Sequence, residues 1–168
     1  MIQSVVVEGS DTQFKQTIGD VRAIGWSVHP GWGLPGTSGA TALAGAVANR
    51  LDATLAVTAG LTGVNLIVHG LAARSILDSL CEDLRHLGRL NHRIGEAAPV
   101  LTDEDRQLLR LLADGVTIAG TAQKLHLSRR SVDRRIAALR EQFAATSVSS
   151  LLLAYRARLA AVAGVRDA

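Results

Sequence analysis

The apolar residues of this chain follow two kinds of pattern, and the change comes near residue 100. Before it, short apolar runs alternate with helical periodicities. "SVVVEG" is a β-branched run closed by Glu8-Gly9, and "DTQFKQTIGDVRAIG" then places Phe14, Ile18 and Val21/Ile24 at helical spacing. "WSVHPGW" alternates until Pro30 and Gly31 stop it. "ATALAGAVANRL" reads as a helix, whereas "ATLAVTAG" and "VNLIVHG" read as buried strands separated by "LTG". "LAARSILDSLCEDLRHLG" repeats Leu77, Leu80, Leu84 and Leu87 on one helical face with Gly88 as its stop, and "RLNHRI" follows as an edge strand. This alternation predicts a small α/β domain over residues 1–94, an open sheet with flanking helices. Gly95 and Pro99 mark a linker at 95–100.

From Leu101 the period is helical throughout. Thr102 can cap a first helix with Asp105 at its third position, Leu108, Leu109 and Leu112 form the inner face, and Gly115 stops it. Thr117 can cap a short second helix reaching Leu125, and Ser128 a third. At 100 degrees per residue, Val132, Ile136, Leu139 and Phe143 of the third helix share one stripe. Arg130, Arg134, Ala137 and Glu141 lie nearly opposite, with Asp133, Arg129 and Arg140 on one flank and Arg135 on the other. A last helix from Ser149 carries Leu152, Tyr155, Leu159 and Val162 along one side. The pattern predicts an all-α, four-helix helix-turn-helix domain over 101–165, its third helix spanning 129–142.

Charge sharpens this reading. The net charge of +3 conceals an imbalance: residues 1–100 hold seven Lys and Arg against eight Asp and Glu, while residues 101–168 hold eleven against seven. Six of those cations fall between Lys124 and Arg140 with Asp133 as the one acid, which is dense enough to call for a polyanionic partner. The lone Cys81, the lack of a signal-peptide pattern at the start, and the absence of an apolar run near ~18 residues lead us to expect a cytoplasmic protein with no membrane association.

Residues Leu101 to Tyr155 resemble, without a gap, the DNA-binding domain of the LuxR family, also called FixJ or GerE type. The landmarks are "LT" at the start, "LLADG" before the turn, Ala122, Leu125, Leu127 and Ser128 as "A-x-x-L-x-L-S", Ser131-Val132, and "SVSS" from Ser147. The resemblance implies double-stranded DNA as partner, with Asp133, Arg134 and Ala137 facing bases, and a homodimer formed through the last helix at Leu152, Tyr155, Leu159 and Val162, the alternative being that this helix only closes the four-helix core. Arg130 and Arg134 suit guanine, and Lys124, Ser128, Arg129, Arg135 and Arg140 suit phosphates. Three positions depart from the family: Asp133 stands where lysine is usual, Arg135 where histidine is usual, and Thr121, beside Gly120, where an apolar residue is usual. Asp133 has two competing roles, accepting from cytosine N4 or orienting Arg129 or Arg130 one turn back, beside the plain alternative of an idle surface acid.

Many members of that family join the DNA-binding domain to a phospho-accepting receiver, also a small α/β domain. A receiver needs acids after its first strand to hold Mg²⁺, an aspartate after its third strand and a late lysine. Glu8 and Asp11 could meet the first need, but "TLAVTAG" ends without an aspartate and the only lysines are Lys15 and Lys124. The N-terminal part is therefore expected to be receiver-like in layout and not phosphorylatable, an atypical response regulator. "GWGLPGTSGA" could cradle a phosphate but lacks the Gly-Lys-Ser/Thr ending of a P-loop. Cys81 sits beside Leu80 and Leu84 and reads as a buried thiol, not as a metal ligand with His86 and His92. No cofactor, metal or catalytic residue is expected, and the chain does not read as an enzyme. The sequence thus predicts a dimeric, sequence-specific transcription regulator. The alternative is a regulator that works mainly by docking RNA polymerase or another regulator through its N-terminal part, with weak or non-specific DNA binding.

Overall fold

The computed structural model describes residues 2–33, 41–95 and 98–163. Five strands and seven helices follow one another as β1 (Ile2–Glu8), α1 (Asp11–Ala23), β2 (Ser27–Pro30), β3 (Thr41–Val47), α2 (Arg50–Leu61), β4 (Asn65–Gly70), α3 (Arg74–Leu87), β5 (Gly88–Ile94), α4 (Asp103–Ala113), α5 (Ile118–Lys124), α6 (Arg129–Gln142) and α7 (Val148–Ala163). The strands form one sheet in the order β2-β3-β4-β1-β5, and every pairing is parallel. β1 lies between β4 and β5, unlike the 2-1-3-4-5 order of flavodoxin-like sheets. No helix among the described residues is long and apolar enough to cross a membrane.

A parallel sheet is buried on both faces, so its strands alternate between two apolar environments. Val6, Leu43, Val47, Leu66 and Val68 pack against α2 and α3 through Ala53, Ala56, Ala59, Leu77, Leu80, Cys81 and Leu84. Val5, Val7, Ala42, Ala44 and Ile67 face the other way, against Val21 of α1. α1 starts with a capping box between Ser10 and Gln13.

Two elements exchange the identities expected of them: residues 41–47 are strand β3 and residues 50–61 are helix α2. Alanine favours helices when nothing else decides. In β3, Ala42, Leu43, Ala44 and Val47 are all buried between two helical layers, where small side chains fit a central strand. The helix signal that periodicity missed is a cap: Asn49 accepts from the Asp52 amide at 3.0 Å, and Asp52 accepts from the Ala48 amide at 3.0 Å. Glu96 and Ala97 of the expected linker, and residues 34–40 of the glycine-rich loop, lie outside the described residues.

The chain divides into two compact units, one comprising the sheet, α1 to α3 and residues 159–163, the other Pro99–Arg158. This corrects the expected fold class. The chain is α/β, with a five-stranded parallel sheet and seven helices among the described residues, and no separate all-α four-helix domain spans 101–165. The end of α7 belongs to the sheet unit: Val162 is fully buried with Val5, Val7, Val21, Ala42, Ala44 and Ile67, Gln3 Nε2 donates to the Val162 carbonyl, and Asn91 Nδ2 donates to the Ala161 carbonyl. Amphipathic periodicity shows that a helix needs cover on one side, but it does not say which part of the chain supplies it.

Candidate nucleic-acid interface

In the unit Pro99–Arg158, three helices end in the same way. In each, a residue with positive φ follows the helix and the two amides after the cap bond back to carbonyls of the last turn, a Schellman ending. Gly115 (φ 81), His126 (φ 54) and Ala144 (φ 50) occupy that position in α4, α5 and α6. The bonds are Val116 N to Leu111 O, Leu127 N to Ala122 O, and Ala145 N to Arg140 O, at 3.0, 2.9 and 2.8 Å. The sequence announces only the first, through its glycine.

Sharp ends and strong starts place α5 and α6 across a four-residue connection. The Thr117 hydroxyl caps α5 by accepting from the Gly120 amide, and the Ser128 hydroxyl caps α6 by accepting from the Ser131 amide at 3.1 Å. Gly120 is crowded by this cap: a β-carbon there would meet Thr117 Oγ1 at 3.2 Å and Val116 Cγ1 at 3.1 Å. Val132, Ile136 and Leu139 are buried and hold α6 from behind. Arg129, Arg130, Asp133, Arg134 and Ala137 are exposed on the remaining surface of α6, with Lys124 exposed at the end of α5.

The arginines of this unit divide into two groups that their sequence positions do not distinguish, with Arg110, exposed and without a side-chain partner among the described residues, standing apart on α4. Arg135 is ion-paired with Glu104 and Asp105 at the start of α4. Arg140 donates to the Ala145 and Thr146 carbonyls, Arg106 to the Leu101 carbonyl, Arg156 to the Ala113 carbonyl, and Arg158 to the Pro99 carbonyl. In contrast, the side chains of Lys124, Arg129, Arg130 and Arg134 have no partner among the described residues. Of the five positions assigned to phosphate, Arg135 and Arg140 are thus engaged within the protein, the Ser128 hydroxyl is engaged as a cap, and Lys124 and Arg129 are unengaged. Asp133 pairs with neither Arg129 nor Arg130, so the arginine-orienting contact is not formed in this structure.

The dimer face expected on α7 needs correction. Tyr155 and Val162 are 2% and 0% exposed, so neither can face a partner, and Leu152 and Leu159 are partly buried. The leucine of α7 that is largely exposed is Leu153. In a helix nearly apolar all round, periodicity alone does not select the outward side.

A second polar cluster lies at the carboxyl ends of β1 and β5. The Glu8 carboxylate accepts two bonds from Arg74 at 3.0 and 3.1 Å and one from His92 Nε2. Arg74 also pairs with Asp78 at 2.8 Å, and this partner, ahead of Glu8, raises its pKa. Asp11 pairs with Lys15 at 2.6 Å. The acids considered for Mg²⁺ therefore already carry cationic partners, and after β3 stands Asn49, whose side chain caps α2. His92 Nδ1 lies 3.9 Å from Cys81 Sγ, whereas His86 bonds to the Glu82 carbonyl of its own helix. No group of three or more His, Cys, Asp or Glu side chains among the described residues is placed to hold a metal. Burial pushes the Cys81 thiol pKa up.

No protein-family profile matches the sequence. No curated protein matches it either. Two solved structures extend over nearly the whole chain. One is the response regulator ChrA of a heme-sensing two-component system, 14% identical, covering 94% of this chain and 98% of that one, with a TM-score of 0.35. The other is full-length FixJ from B. japonicum, 16% identical, covering 98% of each chain, with a TM-score of 0.33.

Proposed function

We propose that this protein is a DNA-binding regulator of LuxR type that lays α6 in the major groove. Arg130, Arg134 and Ala137 face base edges, and Lys124 and Arg129 contact phosphates on either side. The observation that carries this reading is the set of four exposed cations, Lys124, Arg129, Arg130 and Arg134, whose side chains have no partner among the described residues, on a helix held from behind by Val132, Ile136 and Leu139. The placement has a local cost. Arg129 and Arg130 open α6 with no acid in its first turn, against the preference of the helix dipole for negative charge there. A phosphate backbone supplies the missing negative charge.

Selection from a random pool of duplex DNA by the full chain, followed by affinity measured against salt, tests the proposal. A site should emerge, and an inverted repeat would report a homodimer. Each phosphate contact contributes about −0.9 to the slope of log affinity against log salt, so Arg129→Ala should flatten it by about one unit. No selected site together with a flat salt dependence would remove the proposal.

A second reading, regulation by docking RNA polymerase or another regulator through the N-terminal unit, draws on Leu51, Leu55 and Leu61 of α2. They are 67%, 44% and 67% exposed. Leu51 and Leu55 stand one turn apart on the outer face, where a partner could cover them. Leu51→Ser with Leu55→Ser in the full chain should leave DNA affinity unchanged and abolish the protein's effect on transcription in a reconstituted assay; an unchanged effect on transcription removes this reading.

A further inference from the structure

We infer that Asp133 is a specificity-determining residue that reads cytosine through its exocyclic amino group. The inference rests on the proposal that α6 enters the major groove.

Asp133 is exposed in the second turn of α6 and has Arg129 and Arg130 one turn before it and Arg134 beside it. It pairs with none of them among the described residues. Two features explain this. An arginine three or four residues before an acid is the less favourable order for a helical ion pair, and Arg134 and Arg135, one and two residues on, do not face Asp133 along the helix. The surface thus presents one uncommitted carboxylate among three uncommitted guanidinium groups.

A carboxylate can only accept hydrogen bonds, and it repels phosphate. In the major groove guanine offers N7 and O6, both acceptors, and thymine offers O4 and a methyl group. Adenine pairs a donor with an acceptor, whereas cytosine offers the N4 donor alone. Of the four edges, cytosine is the one a carboxylate meets without facing an acceptor. Ala137, one turn further on, is exposed and small, so it leaves room for Asp133 to approach the base edge. The guanidinium groups of Arg130 and Arg134 suit the guanines that partner or neighbour such a cytosine.

The test is selection from a random duplex pool by the full-length wild type, Asp133→Ala and Asp133→Asn, with circular dichroism to show that the variants fold. Wild type should prefer cytosine at one position of each half-site by about tenfold or more. Asp133→Ala should lose that preference while other positions keep theirs and affinity for unselected DNA holds or rises. Asp133→Asn should shift the preference toward adenine, which an amide reads through N6 and N7. Identical base frequencies in wild type and Asp133→Ala overturn the inference while leaving DNA binding intact. Loss confined to a guanine position also overturns it, because Asp133 would then act through an arginine. If the wild type selects no site, the proposed function and this inference fall together.

Discussion

Arg135 of α6 is ion-paired with Glu104 of α4 and reaches Asp105, which also closes the capping box with Thr102. One arginine in the basic stretch therefore serves packing, while Arg134 beside it is exposed and unpaired. Arg135→Ala should lower stability by about 0.2–1 kcal/mol, the range for exposed pairs. Arg134→Ala should change stability by less than about 0.5 kcal/mol and weaken binding to a selected site by tenfold or more. Urea unfolding and DNA titration on both variants measure the two effects; equal stability losses would show that the contact with Glu104 has no energetic weight.

Ala144 holds a left-handed conformation with φ 50 where α6 ends. That conformation costs an L-residue about 1–2 kcal/mol, and glycine escapes most of it. Ala144→Gly should therefore stabilise the protein by about 0.5–1 kcal/mol. Gly115→Ala, at the equivalent position after α4 with φ 81, should destabilise it by a similar amount. Denaturant midpoints at unchanged slope report both, and a loss of stability in Ala144→Gly would contradict this account of the helix ending.

Thr121 is fully buried in α5, and its hydroxyl has no hydrogen-bond partner among the described residues. A buried hydroxyl without a partner loses its hydration with nothing in return. Thr121→Val keeps the shape and removes that loss, so the melting temperature should rise, by an amount equivalent to about 1 kcal/mol. A lower melting temperature would mean that the hydroxyl is satisfied after all.

Burial raises the pKa of the Cys81 thiol in the folded protein. The folded state therefore disfavours the thiolate more than the unfolded chain does. The stability linked to this group is fully present below the ordinary thiol pKa and is lost as pH rises through the folded value. Stability measured at pH 7.5 and pH 10 should drop further in wild type than in Cys81→Ala, and native alkylation by iodoacetamide should begin only above the pH at which the unfolded chain reacts. Native alkylation as fast as unfolded at pH 8 would exclude the buried thiol.

Much of the fold is legible where local chemistry and burial agree. β1 is a run of valines, α3 repeats leucine at helical spacing, and Thr102, Thr117 and Ser128 cap the helices that follow them. The exchange between β3 and α2 came where they disagree: alanine's helical preference gave way to burial between two layers, and the Asn49 cap mattered more than the apolar run after it. The outward face of α6 was readable from its period, because one buried stripe of Val132, Ile136 and Leu139 leaves the opposite side for solvent.

Sequence alone determined which segments are amphipathic, where most helices of residues 99–158 begin, and that the cations concentrate between Lys124 and Arg140. These properties depend on neighbours within a few positions, which the chain states directly. Tertiary structure alone decided which cations remain free. Arg135 is claimed by Glu104 and Asp105 about thirty residues earlier, Arg158 by the Pro99 carbonyl, and Val162 by the sheet. Partners so distant in sequence meet only when the chain is folded, and their identities carry no period that a linear reading could follow.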